Sequence, residues 1–440
     1  MRAPFPLFGR FAAFRTPGNA RNAAWLILEK GFRWLVALTV GVWLARALGP
    51  AQFGALASAL SLVLLWGSAA SFGIDNVVVR ELVRTPSARG ELLGTAFALR
   101  LLGGALAGLG AALTGWLLRA DLAATLTAIA AVNLAVGAGE VFDLWFQAEV
   151  RAHRAVVART LAFAVISAAR VVLLLNHASP TAFAWAFAAE AALASVALAF
   201  AYRAEPARPA LLAPTFARAR ALLRESWPNI VSGLAMMAYM KLDRVLLGEL
   251  ADDRAVGLYG AACTLTEAWY FLPVVLASSA TPALTRLRAT DPAAYLIRLA
   301  QLARLLAALG WALGLALTLA APFLAGGLFG AAYRDATPIL AILAWGLLFA
   351  FVGVAASPWY LNEGLLRPAM WRHLLGAALN LLLNLLFIPR WGAPGAACAT
   401  VIAFASAHVF ANALDPRTRV IFRLQLRALL LLPPAPAPTA

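Results

Sequence analysis

The chain has 440 residues, of which 63% are hydrophobic and 13% charged, with a mean hydropathy of +0.81. That composition excludes a soluble globular domain and a disordered chain, and leaves an integral membrane protein. A formal charge of +16 invites a nucleic-acid partner, but the basic residues lie in alternate loops between apolar runs, which excludes that reading.

Apolar runs of about 20 residues, each able to span a bilayer core of roughly 30 Å, recur along the chain. Twelve are predicted, at roughly 22–47, 53–74, 92–118, 121–146, 156–176, 180–202, 227–250, 255–283, 298–320, 337–360, 365–388 and 393–414. All are helices, because a single span must satisfy its own backbone hydrogen bonds in lipid. The first run is too long for a signal-peptide core and has no small-residue cleavage site after it. It follows a basic tail, 1–21, with scattered Phe, which lies either on the membrane surface or in the cytosol. The stretch 203–226 holds Pro206, Pro209, Pro214 and five Arg, and reads as a cytoplasmic link between an N-terminal six-helix bundle, 22–202, and a C-terminal one, 227–414. The Gly-rich stretch 321–336 blurs the boundary between the ninth and tenth runs. Residues 415–440 form a second cytoplasmic tail, whose end, Pro433–Pro438, is too Pro-rich to build a core.

Loop charge orients the spans. One set of loops and both tails carry clusters such as Arg80/Arg84/Arg89, Arg151/Arg154/Arg159 and Arg417/Arg419/Arg423/Arg427. The opposite set holds only Arg46, Arg119, Arg254, Arg334 and Arg390. The positive-inside rule then places both termini in the cytoplasm. Since each half has an even number of spans, the halves share one orientation and form a parallel repeat. Its predicted register lays Phe53-Gly54-Ala55 on Tyr259-Gly260-Ala261. Trp25, Trp116, Trp145, Trp227, Trp359, Trp371 and Trp391 fall near span ends, where interfacial anchoring accounts for them.

No cofactor or metal is expected. Cys263 and Cys398 lie in apolar runs and read as small packing residues. The four histidines, His153, His177, His373 and His408, have no ligand spacing.

Charges inside the spans demand more. Lys30, Arg33, Arg100, Arg170, Lys241, Arg244 and Arg304 fall there, with Glu29, Glu140, Glu190, Asp243 and Glu267. Each costs about 2.5–3.5 kcal/mol at the bilayer centre, so they must face one another or a wet cavity. Glu29 and Arg33 are four apart and can pair along one face. Lys30 then has no partner on its own helix. Asp243 and Arg244 must look to other helices: Asp243 to Arg33 or Arg100, and Glu267 to Lys241. Arg304 and Glu140 lie near span ends and can snorkel. Lys30 and Lys241 are the only lysines, reflecting either a need for a compact ammonium or codon usage. For each buried charge, pairing between helices competes with direct contact to an anionic substrate.

Four segments carry a resemblance. They are Ala45-Arg46-Ala47-Leu48-Gly49-Pro50 with Phe53-Gly54; Phe72-Gly73-Ile74-Asp75 with Val79-Arg80-Glu81-Leu82; the hairpin 227–284; and Leu379-Asn380-Leu381-Leu382-Leu383-Asn384 with Ile388-Pro389-Arg390-Trp391-Gly392. In that order they resemble the polysaccharide (O-antigen) flippases of the exporter superfamily that includes multidrug antiporters. The resemblance implies a MATE-like all-α fold of two six-helix bundles around a central cavity. It also implies a non-enzyme that moves undecaprenyl-diphosphate-linked oligosaccharide across the bacterial inner membrane by alternating access, beside glycosyltransferases and a polymerase. On that reading Lys30, Arg33, Arg100, Arg170, Lys241 and Arg244 form a cationic cavity for the diphosphate. Glu29, Asp243 and Glu267 couple an ion or pair structurally. A multidrug antiporter would want an acidic, aromatic cavity, whereas cations outnumber carboxylates here. A membrane polymerase or glycosyltransferase would want a sizeable extracytoplasmic loop, and the loops are short.

Overall fold

In the computed structural model, residues 17–206 and 208–433 are described, and every regular element among them is helical. The basic tail up to residue 16, the Pro-rich end from 434, and the side chains of Glu29, Lys30 and Arg33 lie outside the described residues.

The first two expected spans lie in α1 (Pro17–Ala70), two helical arms that meet at the non-helical Gly49. Gly49 has φ 72°, a left-handed conformation that glycine adopts freely. Pro50 follows with no N–H to donate, so the chain bends there and resumes as helix. Next come α2 (Asp75–Arg84), which buries Val77, Val78 and Leu82 and turns its Arg out, then α3 (Arg89–Leu118). The fourth expected span is broken: α4 (Leu122–Val136) ends in a 3₁₀ turn at Gly137–Glu140 before α5 (Val141–Ala148). The first half closes with α6 (Ala152–Leu175) and α7 (Pro180–Arg203).

Helix α8 (Phe216–Leu250) starts inside the expected link, where Thr215 Oγ1 accepts from the Arg218 N–H at its first turn. Helices α9 (Asp253–Glu267) and α10 (Phe271–Thr290) follow, split by a turn at 268–270. Then come α11 (Pro292–Phe323), π and 3₁₀ turns within 324–336, and α12 (Thr337–Ala344). Short α13 (Gly346–Ala355) and α14 (Ser357–Asn362) lead to α15 (Leu366–His408), bent at Gly392 with φ 56° between Pro389 and Pro394. The last element, α16 (Arg419–Leu429), buries Ile421, Gln425 and Ala428.

By length and apolarity alone, nine stretches among the described residues qualify as candidate membrane spans, which leaves the expected count of twelve unconfirmed. The difference has two sources. Leu35–Arg84 and Arg367–Ala413, at 50 and 47 residues, each hold two helices that meet at the non-helical Gly49 or Gly392, so each pair counts once. Helix α8 falls outside the nine; it is the helix that carries Lys241, Asp243, Arg244 and Glu249.

Helix α1 is the hub of the first half, against α3, α4 and α6, and it also packs on α8 and α9 of the second. Its second arm runs antiparallel to α8, with Ser58 beside Gly248 and Ser68 beside Gly233. The largest shared core joins Val42 and Ala45 of α1 to Leu247, Tyr259, Leu340 and Ala396.

At the Gly49 end the two halves touch backbone to backbone. A Cβ on Gly54 would overlap the Asp253 carbonyl, and one on Gly257 would overlap the Pro50 carbonyl. A two-fold relation thus pairs Gly54 with Gly257 and Pro50 with Asp253. This register lies three residues from the expected one; a Cβ on Gly260 would meet Phe53 at an ordinary 3.5 Å. Arg119 closes the same end. It makes a bidentate pair with Asp253 at 2.7 and 3.0 Å, donates to the Gly248 carbonyl at 3.1 Å, and meets Asp121. At the Gly73 end, Asn229 Nδ2 donates to the Gly73 carbonyl at 3.1 Å and Arg80 pairs with Glu225.

Candidate functional site: buried charge in the two halves

Lys241 and Arg244 are three residues apart on α8 and so share a face. Both reach Glu267, the last residue of α9. Lys241 Nζ donates to its two carboxylate oxygens at 3.1 Å each, and Arg244 Nη2 donates to Oε1 at 2.8 Å. Lys241 is 91% buried by residue surface, at 9% exposure, while the Glu267 side chain keeps 31%. Helix α9 stops at Glu267, so its negative dipole end adds to the carboxylate in drawing cations. Two cations over one carboxylate leave an excess positive charge in a low-dielectric setting, able to hold an anion.

Asp243 points elsewhere. Its carboxylate accepts from Asn384 Nδ2 at 2.7 Å, Tyr259 OH at 2.6 Å and Thr400 Oγ1 at 2.6 Å, and it is almost fully buried. It does not meet Arg100, which is engaged with Asp75 instead. The donors come from α9 and α15, so Asp243 ties three helices together through neutral groups. The Asn380/Asn384 pair, four apart on an apolar helix, was the sequence signal for this partner. Asp243→Ala would strand the Tyr259 and Asn384 donors, Thr400 having the Ala396 carbonyl at 3.0 Å as an alternative, and is expected to cost about 2–6 kcal/mol, given roughly 1–3 kcal/mol per unsatisfied group. A drop in thermal unfolding temperature checks this; an unchanged value contradicts the network.

The first half has its own charged cavity, of about 820 Å³, between α1, α3, α4, α5, α6 and α7. Arg100, Glu140, Asp143, Gln147, Arg159 and Glu190 are among its walls. Its cations are paired: Arg100 with Asp75 at 2.6 Å and Arg159 with Asp143 at 2.8 Å; the wall carboxylate Glu190 is held by Arg170 at 2.8 Å. Gln147 also donates to Asp143 at 2.9 Å. The six expected cations therefore do not form one described ring. Arg100 and Arg170 belong to the first half with carboxylates of their own, Lys241 and Arg244 to the second, and the Lys30 and Arg33 side chains lie outside the described residues. Sequence reasoning passed over Asp75, Asp143, Gln147 and Arg159, because loop-edge residues announce no partner until the bundle closes. Among the described residues, no His, Cys, Asp or Glu group could hold a metal ion.

Solved structures place this architecture. The lipid II flippase MurJ in an inward closed conformation superposes with TM-score 0.68 at 15% identity, over 92% of this chain and 90% of that one. An inward-facing multidrug resistance MATE family transporter of the MOP superfamily gives 0.67 at 16% identity, over 91% and 95%. A MOP superfamily transporter from Pyrococcus furiosus, described as having a binding pocket of reverse polarity, gives 0.58 at 18% identity, over 94% and 96%. No curated protein matches. The fold is thus the all-helical one shared by MOP-superfamily flippases and transporters. Within it, residues 19–288 match the model of the polysaccharide biosynthesis protein family, and the chain belongs to that family.

Proposed function

We propose that the chain is a flippase that carries oligosaccharide units on undecaprenyl diphosphate from the cytoplasmic to the periplasmic leaflet of a bacterial inner membrane. The Lys241–Arg244–Glu267 cluster carries this reading, because a lipid diphosphate leaving headgroup water needs charge-assisted donors in exchange. Family membership and the fold neighbours support transport over catalysis. The prenyl tail stays in the bilayer at a gap between the halves while the headgroup crosses. Alternating access then requires the Gly54–Gly257 contact and the Arg119–Asp253 pair to part and re-form. Glu267 is the carboxylate placed to take up H⁺ or Na⁺ as the diphosphate displaces it from Lys241 and Arg244. Glycosyltransferases supply the unit and a polymerase consumes it.

Restored surface glycan in a flippase-null strain tests the reading, with membrane levels matched. An organic-cation antiporter would instead raise resistance to cationic dyes without restoring glycan.

Orientation follows from loop charge. Reporter fusions at Asp252 and Arg334 are expected in the periplasm, and those at Arg218 and Arg423 in the cytoplasm. One reversal among the four contradicts the two-bundle arrangement.

A further inference from the structure

Two cations among the described residues are at least nine-tenths buried by residue surface, Lys241 and Arg372. Lys241 has Glu267. Arg372, at 7% exposure, has no carboxylate within ion-pair distance among the described residues. Its guanidinium carbon sits 4.4 Å from the Tyr360 ring centroid, and its Nε and Nη1 are buried with no hydrogen-bond partner among those residues. A cation–π contact offsets part of the desolvation of a guanidinium but leaves those N–H groups unmet.

Arg372 lines a cavity of about 660 Å³ between the start of α15 and the 411–418 loop. Arg367, Arg417 and Thr418 share its wall. One carboxylate is present, Asp415, and Arg417 already holds it at 2.8 Å. Three guanidiniums against one carboxylate give the cavity a net positive charge. Its rim is apolar: Trp371 and Leu414 line it at 65% and 72% exposure. A free anion has no use for such a rim, whereas a lipid sets its acyl chains there and its headgroup phosphate inside.

We propose that this cavity binds the phosphate of an anionic membrane lipid, with Arg372 as its buried anchor and Arg367 and Arg417 at its mouth. The site shares no lining residue with the Lys241–Arg244–Glu267 cluster and does not depend on the transported substrate. The bound phosphate would satisfy the two unmet N–H groups and neutralise a charge that is costly to bury alone.

The test is thermal unfolding of the full-length protein, delipidated in neutral detergent and titrated with phosphatidylglycerol, phosphatidylcholine or inorganic phosphate. Phosphatidylglycerol is expected to raise the unfolding temperature saturably, by linkage to the folded state, while the other two leave it unchanged. Arg372→Met is expected to leave the lipid-free unfolding temperature no lower and to weaken phosphatidylglycerol binding about tenfold or more. The double variant Arg367→Gln with Arg417→Gln, at exposed positions, is expected to fold normally and weaken binding severalfold, and it decides the matter if Arg372→Met fails to fold. Equal responses to the two lipids would overturn the proposal, as would unchanged phosphatidylglycerol binding in the variants. A response to inorganic phosphate matching that to phosphatidylglycerol would overturn the lipid assignment.

Discussion

Arg244→Glu is expected to abolish glycan export while the protein still inserts at wild-type level. The substitution takes away the 2.8 Å donor to Glu267 and sets a second carboxylate beside the first. Losing one charge-assisted contact costs about 1.5–3 kcal/mol, roughly a 10- to 100-fold loss of binding at 1.4 kcal/mol per decade. Reversal adds repulsion toward both Glu267 and an incoming diphosphate. Lys241 then has to answer two carboxylates, and the cluster's excess positive charge is gone. A structural role makes a separate forecast. If Arg244 serves only to neutralise Glu267, the swap Arg244→Glu with Glu267→Arg keeps the pair and restores export. Surface glycan from that double variant at wild-type level contradicts substrate contact by Arg244. Glu267→Gln separates the carboxylate's part: it keeps the shape and leaves both cations free, so slower export with normal expression assigns Glu267 to coupling.

The second large effect is at the Gly49 end. Gly257→Val places side-chain atoms where the Pro50 carbonyl lies, and Gly54→Val does the same against Asp253. A carbonyl in a helical hairpin cannot yield as a flexible side chain does, so the halves must separate there. Either variant is expected to eliminate export. A pair of cysteines engineered at Ala51 and Arg254, beside the contact, should lose its cross-linking in the variant background. Gly260→Ala is the control, since its nearest neighbours lie at ordinary contact distance; it should export normally. Loss of export in Gly260→Ala together with export retained in Gly257→Val would contradict the two-fold register.

Much of the fold was legible because a bilayer turns helix length into sequence pattern: each apolar run of about 20 residues is a span on its own evidence. The Gly49-Pro50 and Gly392 breaks were legible as junctions between helices, and both glycines have non-helical backbone there. Helices α2 and α16 were not legible as elements, since they are short and amphipathic and only become helices when packed against the bundle. The 3₁₀ break at Gly137–Glu140 was hidden for a related reason: nothing local distinguishes it from a continuous apolar run.

The candidate site divides the same way. Lys241, Arg244 and Glu267 stood out because charge in a span is expensive, and the Lys241–Glu267 partnership followed from their placement on adjacent helices. Asp243 stood out for the same reason but was matched to cations, when three neutral donors from α9 and α15 surround it. Arg100 and Arg170 were legible as buried cations, whereas their carboxylates, Asp75 and Glu190, come from other helices and depend on how the bundle closes. Arg372 looked like a loop-edge arginine, and only the packed structure shows it buried beneath Tyr360.

The decisive measurement for flipping is to reconstitute the purified protein into liposomes with an undecaprenyl-diphosphate-linked oligosaccharide in both leaflets and add an impermeant glycan-oxidising probe outside. Wild-type protein is expected to expose nearly the whole glycan pool to the probe, while Arg244→Glu exposes only the outer-leaflet share. A wild-type protein that leaves the inner-leaflet pool protected is not a flippase for this lipid.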